Sequence, residues 1–354
     1  MKDDLKISLK KPSYPVNTAL KAYLQKCNRT IKLPIFYDDL LRFQGSVEVF
    51  DKSDKDTLWV RTYYSEFDRQ EIDLNLKKIY TKLHSDGNES TIPFLNVDAI
   101  DYCTFGNSKP FRIKIRNILN DNYAYFYVKK ADASRIYGLE LEHMLSPYNL
   151  NFLVYEDTLI EEHISGIPGD EFIANMLPSC TEPEKAQIAK EFVKFNERCM
   201  IRLLGDMRSY NYVIVPTHDF DHVVYSIRAI DFDQQCFEGK FNVYRPQFFK
   251  ENFSMVDLVT QKFEKQSVNQ YKLEERSIVA KRLLSFKNRI ERLIKCMIAD
   301  TISTPEHEAL LKTKIFEYTG DIRFKNSKNM GEILKNSLSF VKRNYQTENT
   351  GIFF

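Results

Sequence analysis

The chain has 354 residues, 43% apolar and 28% charged, which is too long for one small domain and excludes general disorder. Lysine and arginine total 51 against 49 for aspartate and glutamate, and a net charge of +2 gives no global field toward nucleic acid or membrane. The six cysteines (Cys27, Cys103, Cys180, Cys199, Cys236, Cys296) contain no CxxC pair, so neither a disulfide framework nor a structural zinc is signalled. No stretch approaches 18 uncharged apolar residues and the start carries no signal-peptide run, so the expectation is a cytoplasmic protein without a membrane partner.

Residues 1–95 read as a small α+β appendage. Two strand-like runs at 47–50 and 57–64 flank a polar turn at Ser53 and Asp54, and 69–83 carries Ile72, Leu74, Leu76, Ile79 and Leu83 on a helical pattern. The breaker cluster 85–90 closes it. From 96 to 165 three runs rich in aromatic and β-branched residues (99–105, 111–118, 123–129) form a meander. A helix is expected at 133–145, followed by strands at 151–156 and 158–164. This predicts a five-stranded antiparallel lobe with a helix after its third strand.

Residues 166–354 read as mainly helical. Thr181-Glu182-Pro183-Glu184 is a capping box, and Ile188, Phe192, Phe195, Cys199 and Leu203 follow at helical spacing to Gly205. Two short β-branched runs at 212–215 and 223–230 come next. Val279, Leu283, Phe286, Ile290, Leu293 and Met297 then make one apolar stripe, and Ser303-Thr304-Pro305-Glu306 caps a further helix.

The chemistry sits around those two strands. Gly205-Asp206-Met207-Arg208-Ser209-Tyr210-Asn211 precedes the first, and the second ends in Ile230-Asp231-Phe232-Asp233. An Asp, an Asn five residues on, and a hydrophobic hairpin delivering another Asp suit Mg-ATP phosphotransfer. One carboxylate orients or deprotonates the acceptor hydroxyl; the carboxamide and the later carboxylate hold Mg²⁺ against the phosphates.

With these residues in this order, the chain from about 95 to 240 resembles the protein-kinase-like superfamily, specifically its aminoglycoside phosphotransferase and choline-kinase-like branch. The resemblance implies a bilobal protein-kinase-like α+β fold: an appendage over 1–95, an ATP-binding lobe over 96–165 and a helical lobe over 166–354. It implies Asp206 as catalytic base, Arg208 as the cation neutralising the transferring phosphoryl group, and Asn211 and Asp231 as Mg²⁺ ligands. Lys129, preferred over Lys130 because Val128-Lys129 matches the family's lysine strand, is implied to bind the α and β phosphates. Glu142, preferred over Glu140, is implied to brace it. Gly106 and Asn107 are implied to cradle phosphate from the loop between the first two strands, and the backbone near Glu162 to Ile164 to read the adenine edge. Two departures stand out: Leu204 replaces the family's His before the catalytic Asp, and Asp233 replaces the Gly after Asp-Phe.

The implied activity is transfer of the γ-phosphoryl group of ATP, with Mg²⁺, to a hydroxyl of a small molecule or, second, of a protein. The alternative is a catalytically inactive nucleotide-binding scaffold whose basic C-terminal helices bind a partner. Residues 241–354 hold 20 Lys plus Arg against 13 Asp plus Glu, with Lys281, Arg282, Lys287, Arg289, Arg292 and Lys295 on one helix. A nucleic-acid partner is disfavoured there, because the nearby Phe286 belongs to the apolar stripe and offers no stacking platform.

Overall fold

The computed structural model describes residues 11–51, 54–84, 87–105, 108–220 and 222–345. The fold is α+β. It divides into two compact units, one formed by the chain up to Ala133 with Leu150–His163, the other by Ser134–Asn149 with the chain from Ile164 onward.

The first unit is organised by alternation. In β4 (Phe111–Asn117), Phe111, Ile113 and Ile115 are buried while Arg112, Lys114 and Arg116 point to the other face, the period of two that a half-buried strand requires. Its neighbours are β1 (Gly45–Phe50), β2 (Asp56–Tyr63), β3 (Leu95–Cys103), β5 (Tyr123–Lys130), β6 (Phe152–Tyr155) and β7 (Thr158–Glu162). All pair antiparallel in the order β1-β2-β3-β4-β5-β7-β6. Two N-terminal helices, α1 (Thr18–Lys26) and α2 (Tyr37–Leu40), precede the sheet, and α3 (Glu66–His84) follows β2. Ile72, Leu76, Ile79 and Leu83 of α3 form one core with Phe126, Val128 and Ile160 of the sheet. Each such side chain contributes about 1.5–3 kcal/mol when fully buried.

The five strands and the helix after the third lie where the sequence places them, but the sheet has seven strands. The described residues before 95 are therefore no separate appendage: β2 pairs with β3 and β1 with β2, so both extend the same sheet. The boundary at 95 followed a breaker cluster that merely ends α3.

The second unit is built around α4 (Ala133–Leu145), whose residues from Ser134 to Glu142 are all buried. A helix covered on every side is a central one, so 134–149 groups with the helical unit and not with the sheet lobe expected over 96–165. After the two-residue β8 (Ile167–Pro168) and the turn α5 (Gly169–Glu171), α6 (Glu182–Arg202) starts at the predicted capping box of Thr181 and Glu184. Leu203 ends it in the left-handed region, φ 54°. The hairpin β9 (Tyr212–Asp219) and β10 (His222–Ala229) then forms a small sheet with β8.

The remaining helices are α7 (Phe253–Lys262), α8 (Lys265–Ser285), α9 (Lys287–Ile298), α10 (Pro305–Thr319), α11 (Ile322–Lys325) and α12 (Met330–Asn344). The apolar stripe expected on one helix is split at Phe286, where ψ of 20° breaks the run and turns α9 against α12. Two of the basic residues on that stretch serve the interior: Arg289 forks onto Glu140 at 2.6 and 3.0 Å, and Arg282 donates to the terminal carbonyls of α4 at His143 and Met144. No helix among the described residues is long and apolar enough to cross a membrane.

Candidate active site

In the second unit, the chain leaving α6 is tied to the chain leaving β10. Leu204 bridges Gln235, the Gly205 N–H donates to the Gln234 carbonyl at 3.2 Å, and the Cys236 N–H donates to the Leu203 carbonyl at 2.9 Å. Asp206 follows in the left-handed region (φ 57°), a conformation that Asp tolerates better than most residues but that still costs energy. Its backbone is held from three sides. The Asp206 N–H donates to Val243 O at 3.0 Å, and its carbonyl accepts from the Arg208 N–H at 2.8 Å and from Asn211 Nδ2 at 2.7 Å. Such over-determination lets a strained residue persist.

The side chains converge. Arg208 Nε donates to Asp206 Oδ1 at 2.9 Å, Arg208 Nη1 to Glu251 Oε1 at 2.9 Å, and the guanidinium lies 5.0 Å from the centre of the Phe249 ring. Burial pushes the Asp206 carboxyl above its ordinary pKa, Arg208 pulls it back, and the neighbouring charges of Asp231 and Glu251 raise it again. At the open end of the hairpin the Ile230 N–H donates to Asn211 O at 3.0 Å, which brings the backbone just before Asp231 to Asn211. The second unit thus brings together Asp206, Arg208, Asn211 and Asp231.

Three residues that the sequence reading did not assign complete this cluster. Arg135, in the first turn of α4, is 2% exposed and donates through Nη1 to Asp231 Oδ1 at 2.9 Å and to Asp233 Oδ1 at 2.7 Å. Asp233 also gives its N–H to Asp231 Oδ1 at 3.0 Å, and Glu251 is the second anchor of Arg208. The available signal was Arg135 itself, a cation in the first turn of α4 among the apolar residues Ala133, Ile136 and Leu139. Gly138 explains how α4 comes so close: a Cβ there would lie 2.9 Å from Phe232 Cβ.

In the first unit, Lys129, the last residue but one of β5, has its side chain buried. Lys130 points to solvent, 3.9 Å from Asp38. The brace expected from Glu142 is supplied differently. Lys129 Nζ lies 2.7 Å from Glu161 Oε2, both side chains being nearly dry, because Lys129 and Glu161 share one face of the β5–β7 pair, with Lys129 opposite Leu159 and Tyr127 opposite Glu161. Glu142 is buried in the second unit and pairs with Arg202 of α6, whose cation keeps its pKa below the ordinary value against the opposing effect of burial. Glu140 is held by Arg289.

Glu162 also departs from expectation. Its N–H donates to Asn151 O at 3.0 Å and its carboxylate accepts from the Asn151 N–H at 3.2 Å, so its amide closes the β6–β7 hairpin and is not offered to an adenine. Ile164 is buried in the second unit. Gly106 and Asn107 lie outside the described residues.

The donors at Asn211, Asp231 and Asp206 are all oxygens, the set that suits a hard divalent cation held by one or two carboxylates and completed by water or phosphate. Among the described residues, no cluster of three or more His, Cys, Asp or Glu side chains forms a self-sufficient metal cage. No family model and no curated protein matches the sequence.

Proposed function

We propose that this protein is an ATP- and Mg²⁺-dependent phosphotransferase that moves the γ-phosphoryl group to a hydroxyl of a small molecule or protein, on a bilobal kinase-like fold. The observation that carries this reading is the locked left-handed Asp206, whose raised pKa and engagement with Arg208 and Asn211 suit a general base. Arg208 occupies Asp206 Oδ1, so Oδ2 is the atom that takes the acceptor's proton. Asn211 spends its amide nitrogen on the Asp206 carbonyl, and its side-chain oxygen is the atom assigned, with Asp231, to the cation. Mg²⁺, when bound, supplies charge neutralisation for the phosphates.

Lys129 is assigned to nucleotide phosphate, with Glu161 keeping its ammonium in place. The acceptor is read only as far as its hydroxyl.

The test is ATP turnover and phosphoryl transfer by the full chain with Mg²⁺, set beside Asp206→Asn and Lys129→Met. Turnover lost in Asp206→Asn with nucleotide binding intact supports the reading. Nucleotide binding without turnover in the unaltered protein assigns it to the inactive scaffold instead.

A further inference from the structure

The outward face of the seven-stranded sheet differs in kind from its core face. Along β5 the buried Phe126 and Val128 alternate with Tyr123, Tyr125 and Tyr127, and along β4 the buried Ile113 alternates with Arg112 and Lys114. The strand register sets Arg61, Asp101, Arg112 and Tyr127 in one row across that face. A solvated face needs only polar side chains; this one bears rings and cations side by side.

The rings form a continuous series. Between ring centres, Tyr123 lies 5.7 Å from Tyr125, Tyr125 5.5 Å from His163, His163 5.8 Å from Tyr127, and Tyr127 6.4 Å from Trp59 of β2. Tyr127 Oη and His163 Nδ1 are 3.0 Å apart, and burial together with the Arg112 cation lowers the His163 pKa, so this ring is uncharged at neutral pH. Trp59, Tyr125, Tyr127 and His163 are half-buried, and Tyr123 is 59% exposed, so the series opens to solvent at its Tyr123 end.

Cations line the same strip. The Arg112 guanidinium lies 4.5 Å from the Trp59 ring centre and 5.8 Å from that of Tyr125, and the Lys114 ammonium 4.4 Å from that of Tyr123. Arg61 and Arg112 share one carboxylate, Asp101, at 2.6 and 2.9 Å, Arg112 Nε has no hydrogen-bond partner, and Lys114 makes no ion pair among the described residues. Positive charge is thus in excess beside the ring faces. An acidic peptide would answer the cations and leave the rings idle, and a duplex keeps its bases stacked on each other. A single strand offers phosphates and free base faces together.

We propose that the strip of the sheet from Trp59 to Tyr123 binds single-stranded nucleic acid, with bases stacking on its rings and phosphates on Arg112 and Lys114. The stacking platform that the basic C-terminal helices lack is present here. Lys129 and the phosphotransferase reading take no part in it.

Trp59 is the chain's one tryptophan, so its fluorescence reports on this strip alone. The experiment titrates the full chain with oligo(U) of about 12 nucleotides, reading Trp59 quenching with the unlabelled strand and anisotropy with a fluorescein-labelled one. The unaltered chain is expected to bind with quenching, and to lose affinity as salt rises from about 50 to about 200 mM. Tyr125→Ala should weaken binding about tenfold, and Tyr125→Phe, which keeps the ring, should restore it. Lys114→Ala should lower the slope of log affinity against log salt by about 0.7. Circular dichroism confirms that each variant is folded.

No binding at the lowest salt overturns the proposal. So does an anisotropy rise without Trp59 quenching, or one unchanged in a folded Tyr125→Ala, because the strand is then held elsewhere. Should Tyr125→Ala not fold, an unchanged salt slope in Lys114→Ala overturns it equally. An oligoglutamate peptide that quenches Trp59 as strongly at the same concentration overturns it in favour of an acidic protein partner.

Discussion

Asn211 Nδ2 donates to the backbone carbonyl of Asp206 at 2.7 Å, so the side chain assigned to the cation also fixes the residue assigned to the proton. Asn211→Asp replaces that donor with a carboxylate facing a carbonyl oxygen. The lost hydrogen bond should cost about 1–3 kcal/mol in stability, and ATP turnover should fall by about 100-fold or more, since base and ligand are disturbed together. Urea denaturation and steady-state kinetics measure the two effects. A variant that loses stability but retains turnover would separate Asn211 from the chemistry.

The pH dependence of turnover follows from Asp206. Burial raises its pKa and the charges of Asp231 and Glu251 add to this, while Arg208 opposes them. A base works only when deprotonated, so the acid limb of kcat/KM should lie above the ordinary aspartate value of about 3.9. Arg208→Met removes the opposing cation and should move the limb further upward. A limb that stays fixed in the variant contradicts the assignment of Asp206 as base.

Glu161→Gln leaves the Lys129 ammonium buried with its carboxylate partner gone. Breaking a dry ion pair from one side costs about 3 kcal/mol or more. The double variant Lys129→Met with Glu161→Leu should recover part of that stability, because both members of the pair are removed together, while nucleotide affinity stays lost. Denaturation midpoints and ATP titration by calorimetry distinguish these outcomes.

Lys272 gives stability its own pH dependence. Burial lowers its pKa from 10.5 to about 7; Glu197 counteracts this and the cations of Arg276 and Arg245 reinforce it. Between about pH 7 and pH 10 the unfolded chain therefore binds more protons at this position than the folded one. Stability from this group accordingly rises with pH across that window, by at most about 1.4 kcal/mol per pH unit, and is lowest below it. Lys272→Met should flatten that rise and stabilise the protein at pH 6, as measured by urea denaturation at several pH values.

Short-range patterns were legible in the sequence. The capping box at Thr181, the cap at Thr304 and the helix at 133–145 all reside in a few consecutive residues and stand where those residues put them. Membership of a sheet is different. The β2–β3 pairing joins positions some forty residues apart, and neither strand's alternation says which other strand it meets. Partner choice among charges failed for the same reason. Glu142, with Glu140 second, is the brace the sequence offers for Lys129, and only the tertiary structure gives both to arginines, Arg202 of α6 and Arg289 of α9. Arg135 carries no motif: in a helix that also holds Glu140, Glu142 and His143, a single arginine reads as one more charge.

Helix α4 has a price for any movement. Sliding it by one turn would strip Glu140 from Arg289, Glu142 from Arg202 and Arg135 from its two aspartates, and the helix's own members of these pairs are buried, where an unmatched ion costs several kcal/mol. The helix is accordingly a fixed post and not a lever. A swing of α4 would have to break these ion pairs together, so the helix is expected to hold its place while the exposed segments around it move.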